Sequence, residues 1–239
     1  MSRVKVRYKP EFREVIYSEE HWKLLEELRS TAIRVVEAFS TKGIEAWLHG
    51  SLARGDVWAK SDIDIVIPRR VNGYAVELAL EGAGFKPYAK YLVAATPTTT
   101  LKAYIALDQE ERVTVSFPLA DYKPHELEFY KFGGFLTLHE LLSGKRVPGV
   151  NKSLVLILPT PGGHLEAPVV GYEDYTARVL GVDVSVVKER VKVLTRRDEA
   201  GRTGIFGKLA LLPGESFEEG VKRLLKEKPL LRRAYSDLA

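Results

Sequence analysis

The sequence predicts a mixed α/β domain over residues 1–122 followed by an α+β region over residues 123–239. Three observations carry that expectation. A long run between Ser18 and Gly43 repeats its apolar residues at helical spacing. Short alternating or apolar runs, separated by Gly, Pro and acidic turns, then follow one another as far as Leu119. After Tyr122 the pattern changes to short helical segments, a Pro-Gly-Gly hairpin and a basic helical pair. With 239 residues, 45% apolar and 28% charged, the chain has the composition of a globular protein large enough for two cores.

Taken in order, the alternation of VKVRY predicts a short strand within residues 3–8. Ser18 reads as an N-cap, with Glu19 and Glu20 in the first helical turn. HWKLLEELRSTAIRVVEAF then sets Trp22, Leu25, Leu28, Ala32, Val35 and Phe39 along one helical face, and Gly43 supplies the stop. IEAWLH, residues 44–49, reads as a strand ending at Gly50, and IDIVIP as a second that Pro68 closes. Residues 73–83 read as a helix stopped by Gly84. FKPYAKYLVAAT, TTLKAYIAL and RVTVSFPL read as three strands, the last two joined by a DQEE turn. In the second region PHELEFYKF and LHELLSG read as short helices, and SLVLILPTPGGHLEAPVV as two strands around a turn. From Glu173 onwards the chain is mainly helical.

Several chemistries are excluded at once. Without cysteine there is no disulfide, thiolate nucleophile or thiolate metal site, and five scattered histidines do not make an imidazole site. The opening MSRVKVRYKPEF lacks the apolar core of a secretory signal, and no apolar run approaches the roughly 18 residues of a membrane span. A cytoplasmic protein is therefore expected. Gln109, Asn72, Asn151 and Met1 are the only thermolabile amide and sulfur residues, a bias expected of a thermophile. The formal net charge of +4 suits a polyanionic partner and equally suits a solvated surface.

Chemistry concentrates in HGSLARGDVWAKSDIDIVI, residues 49–67. On a strand, Asp62 and Asp64 project from one face while Ile63, Ile65 and Ile67 project from the other. Two carboxylates so placed repel each other unless a divalent cation neutralises them, and Mg²⁺ prefers carboxylate oxygens together with substrate phosphates. Upstream, Gly50-Ser51 ends a strand and leads into a helical turn. A glycine there lets backbone N–H groups approach a phosphate, Ser51 adds a hydroxyl and Arg54 a fork of donors. The bland alternatives are a pair of exposed acids at a strand edge and an ordinary turn.

A strand, Gly-Ser, ten residues and then Asp62-Ile63-Asp64-Ile65 resembles the core signature of the polymerase-beta-type nucleotidyltransferase superfamily, and GSLARGDVWAKSDID resembles its small prokaryotic and archaeal members. The resemblance implies a nucleotidyltransferase fold with a mixed sheet. It implies that Asp62 and Asp64 are catalytic and hold Mg²⁺ or Mn²⁺, and that Gly50, Ser51, Arg54 and Ser61 bind the nucleotide. It also implies attack of an acceptor oxygen on the alpha phosphorus of a nucleoside triphosphate, with pyrophosphate leaving.

Active relatives carry a third carboxylate on a neighbouring strand, and RVTVSFPL offers Thr114 at that place. A threonine is a weak neutral ligand and no base. Asp108, Glu110, Glu111 and Asp121 are nearby acids, those at 108–111 sitting in a hairpin turn where solvated acids are usual. Three alternatives stay open: another acid completes the site, the substrate supplies the ligand, or the fold has become a nucleotide- or nucleic-acid-binding module.

Residues 173–197, EDYTARVLGVDVSVVKERVKVLTRR, have the spacing of a helix-turn-helix and resemble its sigma-factor type. Ala177 is small where helices would cross, Gly181 makes the turn, and Val182, Val187, Val191 and Leu194 form the buried face. Lys188, Arg190, Lys192, Arg196 and Arg197 are candidate nucleic-acid contacts, so RNA or DNA joins the expected partners beside the nucleoside triphosphate. Residues 184–208 hold seven basic and three acidic side chains, and DEAGRTGIFGK suits a basic wing. A helical hairpin with a solvated basic face is the plainer alternative. Ser216 and Glu219 form a capping box ahead of a last amphipathic helix. His164 and Glu166, two side chains after a turn that could meet a metal or substrate, do not by themselves make a site; His49 reads as a packing residue, and Trp47 and Trp58 as core or rim aromatics.

Overall fold

The computed structural model describes residues 6–7, 12–201 and 205–235. The expected strand at 3–8 falls mostly outside these residues. The first described strand is instead β1 (Arg13–Ile16). It is followed by α1 (Glu19–Ser40), whose first turn is capped by the Ser18 hydroxyl, an acceptor for the His21 N–H at 3.3 Å. Gly43, at φ 69°, ends the helix in a left-handed turn that only glycine adopts without strain. β2 (Trp47–His49) is shorter than the predicted 44–49, and a single helical turn, α2 (Ser51–Arg54), follows it.

β3 (Ile63–Val66), α3 (Gly73–Gly82), β4 (Ala89–Ala94), β5 (Lys102–Ala106) and β6 (Val113–Pro118) stand where the sequence places them. The Asn72 side chain caps α3 by accepting the Tyr74 N–H. α4 (Pro124–Gly133) and α5 (Leu138–Leu142) are the two short helices. The two-residue strands β7 (Phe135–Leu136) and β8 (Gly149–Val150) carry too short a pattern to be read. β9 (Val155–Thr160) and β10 (Gly163–Pro168) form the hairpin. α6 (Glu173–Leu180), α7 (Val184–Ala200), β11 (Gly207–Ala210), α8 (Phe217–Glu227) and α9 (Pro229–Ala234) complete the order.

Two compact units emerge, and neither is continuous in sequence. One comprises Met1–Ile33, Leu48–Ser61 and Pro124–Thr203; the other comprises Arg34–Trp47, Asp62–Lys123 and Gly204–Ala239. The break expected at 122 is therefore one of several points where the chain passes from one unit to the other. Residues 204–239, assigned from the sequence to the second region, belong with the strands of the first. The physical reason is a ladder: β11 pairs antiparallel with β4, Lys208 opposite Val93 and Ala210 opposite Tyr91.

The unit that holds β3 is built on a mixed sheet in the order β11-β4-β5-β6-β3. β3 and β6 are parallel, and the other pairs are antiparallel. One face is apolar and closed: Ile65, Leu92, Ile105 and Val115 are fully buried. Phe217 of α8 meets Phe117 edge-to-face on that side, the ring centroids 5.2 Å apart. α8 is held at its start by a complete capping box, Ser216 with Glu219. We expect Ser216→Ala to lower unfolding stability by about 1 kcal/mol, read by urea denaturation, without loss of the fold.

The other unit is built on a four-stranded antiparallel sheet in the order β1-β10-β9-β8. Leu154, Leu156, Val169 and Val187 lie at the centre of its core, with Val182, Val191 and Leu194 packed against it. α6 and α7 are thus two helices joined across Gly181, itself left-handed at φ 63°. No helix among the described residues is long and apolar enough to cross a membrane.

Candidate active site

The turn after β2 is made by its backbone. Gly50 sits at φ 89° and ψ −141°, a conformation that a side chain would strain, although open space surrounds its Cα. Its N–H donates to the Gly134 carbonyl at 2.9 Å, and its own carbonyl accepts from Ala53 and Arg54. The turn closes at Gly55, φ 103°, whose N–H donates to Ser51 O at 2.7 Å. The Ser51 hydroxyl, half-buried, donates to the Ser61 hydroxyl at 3.3 Å. Ser61 is buried and also accepts the Trp58 N–H at 3.0 Å, so the two ends of the motif's first half are tied together.

Beneath the turn lie two buried arginines, one anticipated in another role and one unforeseen. Arg29 of α1 is 7% exposed and directs Nε and Nη2 at Leu52 O, at 2.9 and 2.7 Å. Burial lowers its pKa to about 10, which still leaves it charged at neutral pH. Arg54, expected to reach phosphate, is 5% exposed. It grips both oxygens of Asp56, at 2.9 and 3.1 Å, and donates Nη1 to Gly133 O at 2.6 Å. Its fork is directed into its own unit and holds the turn from behind.

In the unit that holds β3, strand alternation is expressed as the sequence implies. Ile63 and Ile65 are buried, Asp62 is exposed and Asp64 half-buried. β6 runs parallel beside β3 with Thr114 in register with Asp64, and the Thr114 hydroxyl donates to Asp64 Oδ1 at 3.1 Å. The threonine therefore faces the same side as the acids. Among the other nearby acids, Asp108 closes the β5–β6 turn by accepting the N–H groups of Arg112 and Val113, at 2.9 and 2.6 Å. Glu111 stands at φ 54° and accepts the Tyr91 hydroxyl. No group of three or more His, Asp or Glu able to hold a metal occurs among the described residues.

The basic helical pair is only partly available to a ligand. Lys188, Lys192, Arg196 and Arg197 are exposed on α7. Arg190, expected to join them, lies 4.8 Å over the Phe129 ring, and burial lowers its pKa to about 10. Its spacing aligns it with Val187, Val191 and Leu194 rather than with the lysines. Arg202 lies outside the described residues. His164 is buried against the Tyr17 hydroxyl at 2.7 Å, and its pKa is held down chiefly by that burial. Trp58, read as a core or rim aromatic, is 60% exposed.

The unit that holds β3 is thus a mixed α/β unit with two carboxylates on the open side of a strand. Residues 28–115 match the family model of the nucleotidyltransferase domain, rather more than a third of the chain, from the middle of α1 to the middle of β6. Gly50, Ser51, Asp62, Asp64 and Thr114 all fall inside the matched residues. No curated protein matches the chain. A nucleotidyl-transfer activity and a nucleotide substrate follow at that level of description.

Proposed function

We propose that the protein transfers a nucleoside monophosphate from a nucleoside triphosphate to an acceptor in a divalent-metal-dependent reaction, with Asp62 and Asp64 as the metal ligands. The observation that carries this is the pairing of two carboxylates on the open side of β3 inside the matched domain. Mg²⁺ is commonly held by one or two carboxylates and completed by substrate phosphates, so two acids fit a metal that arrives with its nucleotide. The metal, when bound, would neutralise phosphate charge and polarise the reacting phosphorus.

The residues of the chain have separate tasks. Gly50, whose own N–H and carbonyl are engaged within the turn, carries no side chain to bar a phosphate from it, and Ser51 presents a hydroxyl whose position Ser61 fixes. Arg54 acts as a scaffold for that turn. Thr114 orients Asp64 by its hydrogen bond and supplies no base. The acceptor must then lose its proton to solvent, to a substrate group, or to an acid outside this pair. The exposed cations Lys188, Lys192 and Arg196, at i, i+4 and i+8 on α7, favour a nucleic acid, RNA or DNA, as acceptor or partner.

A second reading has its own observation. Thr114 stands beside Asp64 where a third carboxylate would complete the site, and a nucleotide-binding module without transfer is consistent with that substitution. Incubation with α-labelled nucleoside triphosphates and Mg²⁺ separates the two. Release of labelled pyrophosphate from a γ-labelled substrate, or transfer of the α label, supports the enzyme; tight binding with neither supports the module.

Thr114→Asp is a sharper probe. Without metal, the new carboxylate faces Asp64 directly, and we expect a loss of about 1–2 kcal/mol in stability. With Mg²⁺ and nucleotide another hard oxygen ligand becomes available, so the variant should recover more stability than the parent does. Thermal melts of both proteins with and without Mg²⁺ measure the difference. Equal destabilisation under both conditions would place Thr114 outside the metal site.

A further inference from the structure

We propose that the face of the sheet bearing Asp64 is a platform for single-stranded polynucleotide, whose end is the acceptor. The idea extends the transfer reading and rests on it for the word acceptor, but the binding itself is independent. Register supplies the geometry. Asp64 opposes Thr114, which opposes Ala106, and in the next row Tyr104 opposes Tyr91. One row further, Lys102 and Lys208 both oppose Val93. Directly opposed residues project from the same face, so all of these share the side that Asp64 occupies.

The two faces of this sheet differ in character. The opposite face is the closed apolar one. On the Asp64 face Thr114, Tyr91, Tyr104 and Lys102 are half-buried and Lys208 is exposed, while Ala106 and Ser116 between them are buried and burial raises the Tyr104 hydroxyl pKa to about 12. Between Asp64 and Tyr91 lie three strand spacings, ~14 Å, and β11 adds a fourth. That is beyond a single reacting nucleotide's attacking end and within reach of the units that precede it in a polymer.

Chemistry selects the polymer. Along β4, β5, β6 and β11 the charged side chains of this face are Lys102 and Lys208. A cationic acceptor such as a polyamine or aminosugar meets like charge there, whereas a phosphodiester backbone meets its counterions. The Lys208 ammonium lies 4.3 Å over the Tyr91 ring, and the Lys102 ammonium 4.9 Å over Tyr122. Ring and cation are therefore presented in pairs, matching the base and phosphate of a nucleotide. The Tyr91 hydroxyl donates to Glu111, which fixes the ring and occupies that acid. Small residues, Ala106 and Ala89, separate the tyrosines from Asp64.

The test uses the full chain, EDTA and a short fluorescently labelled oligouridylate followed by anisotropy. The parent should bind with a salt-dependent affinity. Tyr91→Ala should weaken binding about tenfold, through loss of one stacking surface. Lys208→Gln should weaken it severalfold and reduce the salt slope by about one. Tyr91→Phe, which keeps the ring, should stay within about twofold of the parent and excludes misfolding as the cause. No binding by the parent would overturn the proposal. So would unchanged affinity in Tyr91→Ala and Lys208→Gln, or affinity lost only when Lys188, Lys192 and Arg196 of α7 are neutralised together. Equal affinity for duplex would also do so, because a duplex cannot stack its bases on tyrosine. Failure of Mg²⁺-triphosphate binding in a separate titration would remove the transfer reading and leave the oligonucleotide result standing.

Discussion

Asp62→Asn and Asp64→Asn should each abolish Mg²⁺-dependent triphosphate binding, with an affinity loss of at least about 100-fold. The argument is electrostatic. A hard divalent cation bound by two carboxylates loses half of its protein charge when one becomes an amide, and about 2.7 kcal/mol of lost interaction corresponds to two orders of magnitude. The fold should be untouched, since Asp62 is exposed and Asp64 is half-buried. Relief of the repulsion between the two acids should leave the metal-free melting temperature equal or slightly raised. Isothermal titration of nucleoside triphosphate with and without Mg²⁺ gives the first quantity, and calorimetric melting gives the second. If both variants bind Mg²⁺-triphosphate as the parent does, Asp62 and Asp64 are not the metal ligands.

Arg54→Ala should behave in the opposite way, with a large loss of stability and an indirect loss of nucleotide binding. The guanidinium is almost wholly enclosed, and its removal leaves the partly buried carboxylate of Asp56 without its bidentate partner and the Gly133 carbonyl without a donor. Breaking a buried pair from one side costs about 3–5 kcal/mol. Gly133 and Gly149 leave no room for rescue by a bulkier neighbour, because a Cβ at Gly149 would stand 2.7 Å from the Gly133 carbonyl and one at Gly133 would run into the His49 ring. Urea denaturation measures the loss. A stable Arg54→Ala protein that has lost only triphosphate affinity would restore Arg54 to the phosphate-binding set.

That contrast shows how much the sequence could reveal. The strands carrying the acids were legible because alternation of Asp with Ile over a short run reads as a strand, and the place of Thr114 beside Asp64 came from the resemblance to relatives with a third acid on the neighbouring strand. The role of Arg54 was not legible. An arginine four residues after a glycine turn looks like a phosphate ligand, and only the arrival of Asp56 and Gly133 in three dimensions turns it inward. Arg29 left a signal that went unread: it falls between Leu25 and Ala32 on the apolar stripe of α1, where a cation must find carbonyl partners or be expelled. Arg190 left the same signal in α7. The short strands β7 and β8 had none, because two residues show no period. β11 was hidden for another reason: four residues after a glycine-rich stretch resemble a loop until β4 offers them a ladder.

The interleaving of the two units has a consequence for how the protein is made. Five separate passages of the backbone connect them, and the sheet that carries Asp64 takes its outermost strand from residues 207–210. Its apolar face takes Phe217 from α8. Synthesis from the N-terminus therefore delivers the matched segment, 28–115, long before the residues that close the unit holding β3. Until α8 emerges, Leu92 and Phe117 remain without their cover and β4 remains an unpaired edge, the condition in which nascent chains recruit chaperones or aggregate. A gene fragment cut at the limits of the matched segment would preserve that unfinished state permanently, so the sheet that carries Asp64 is a product of nearly the whole length of the chain.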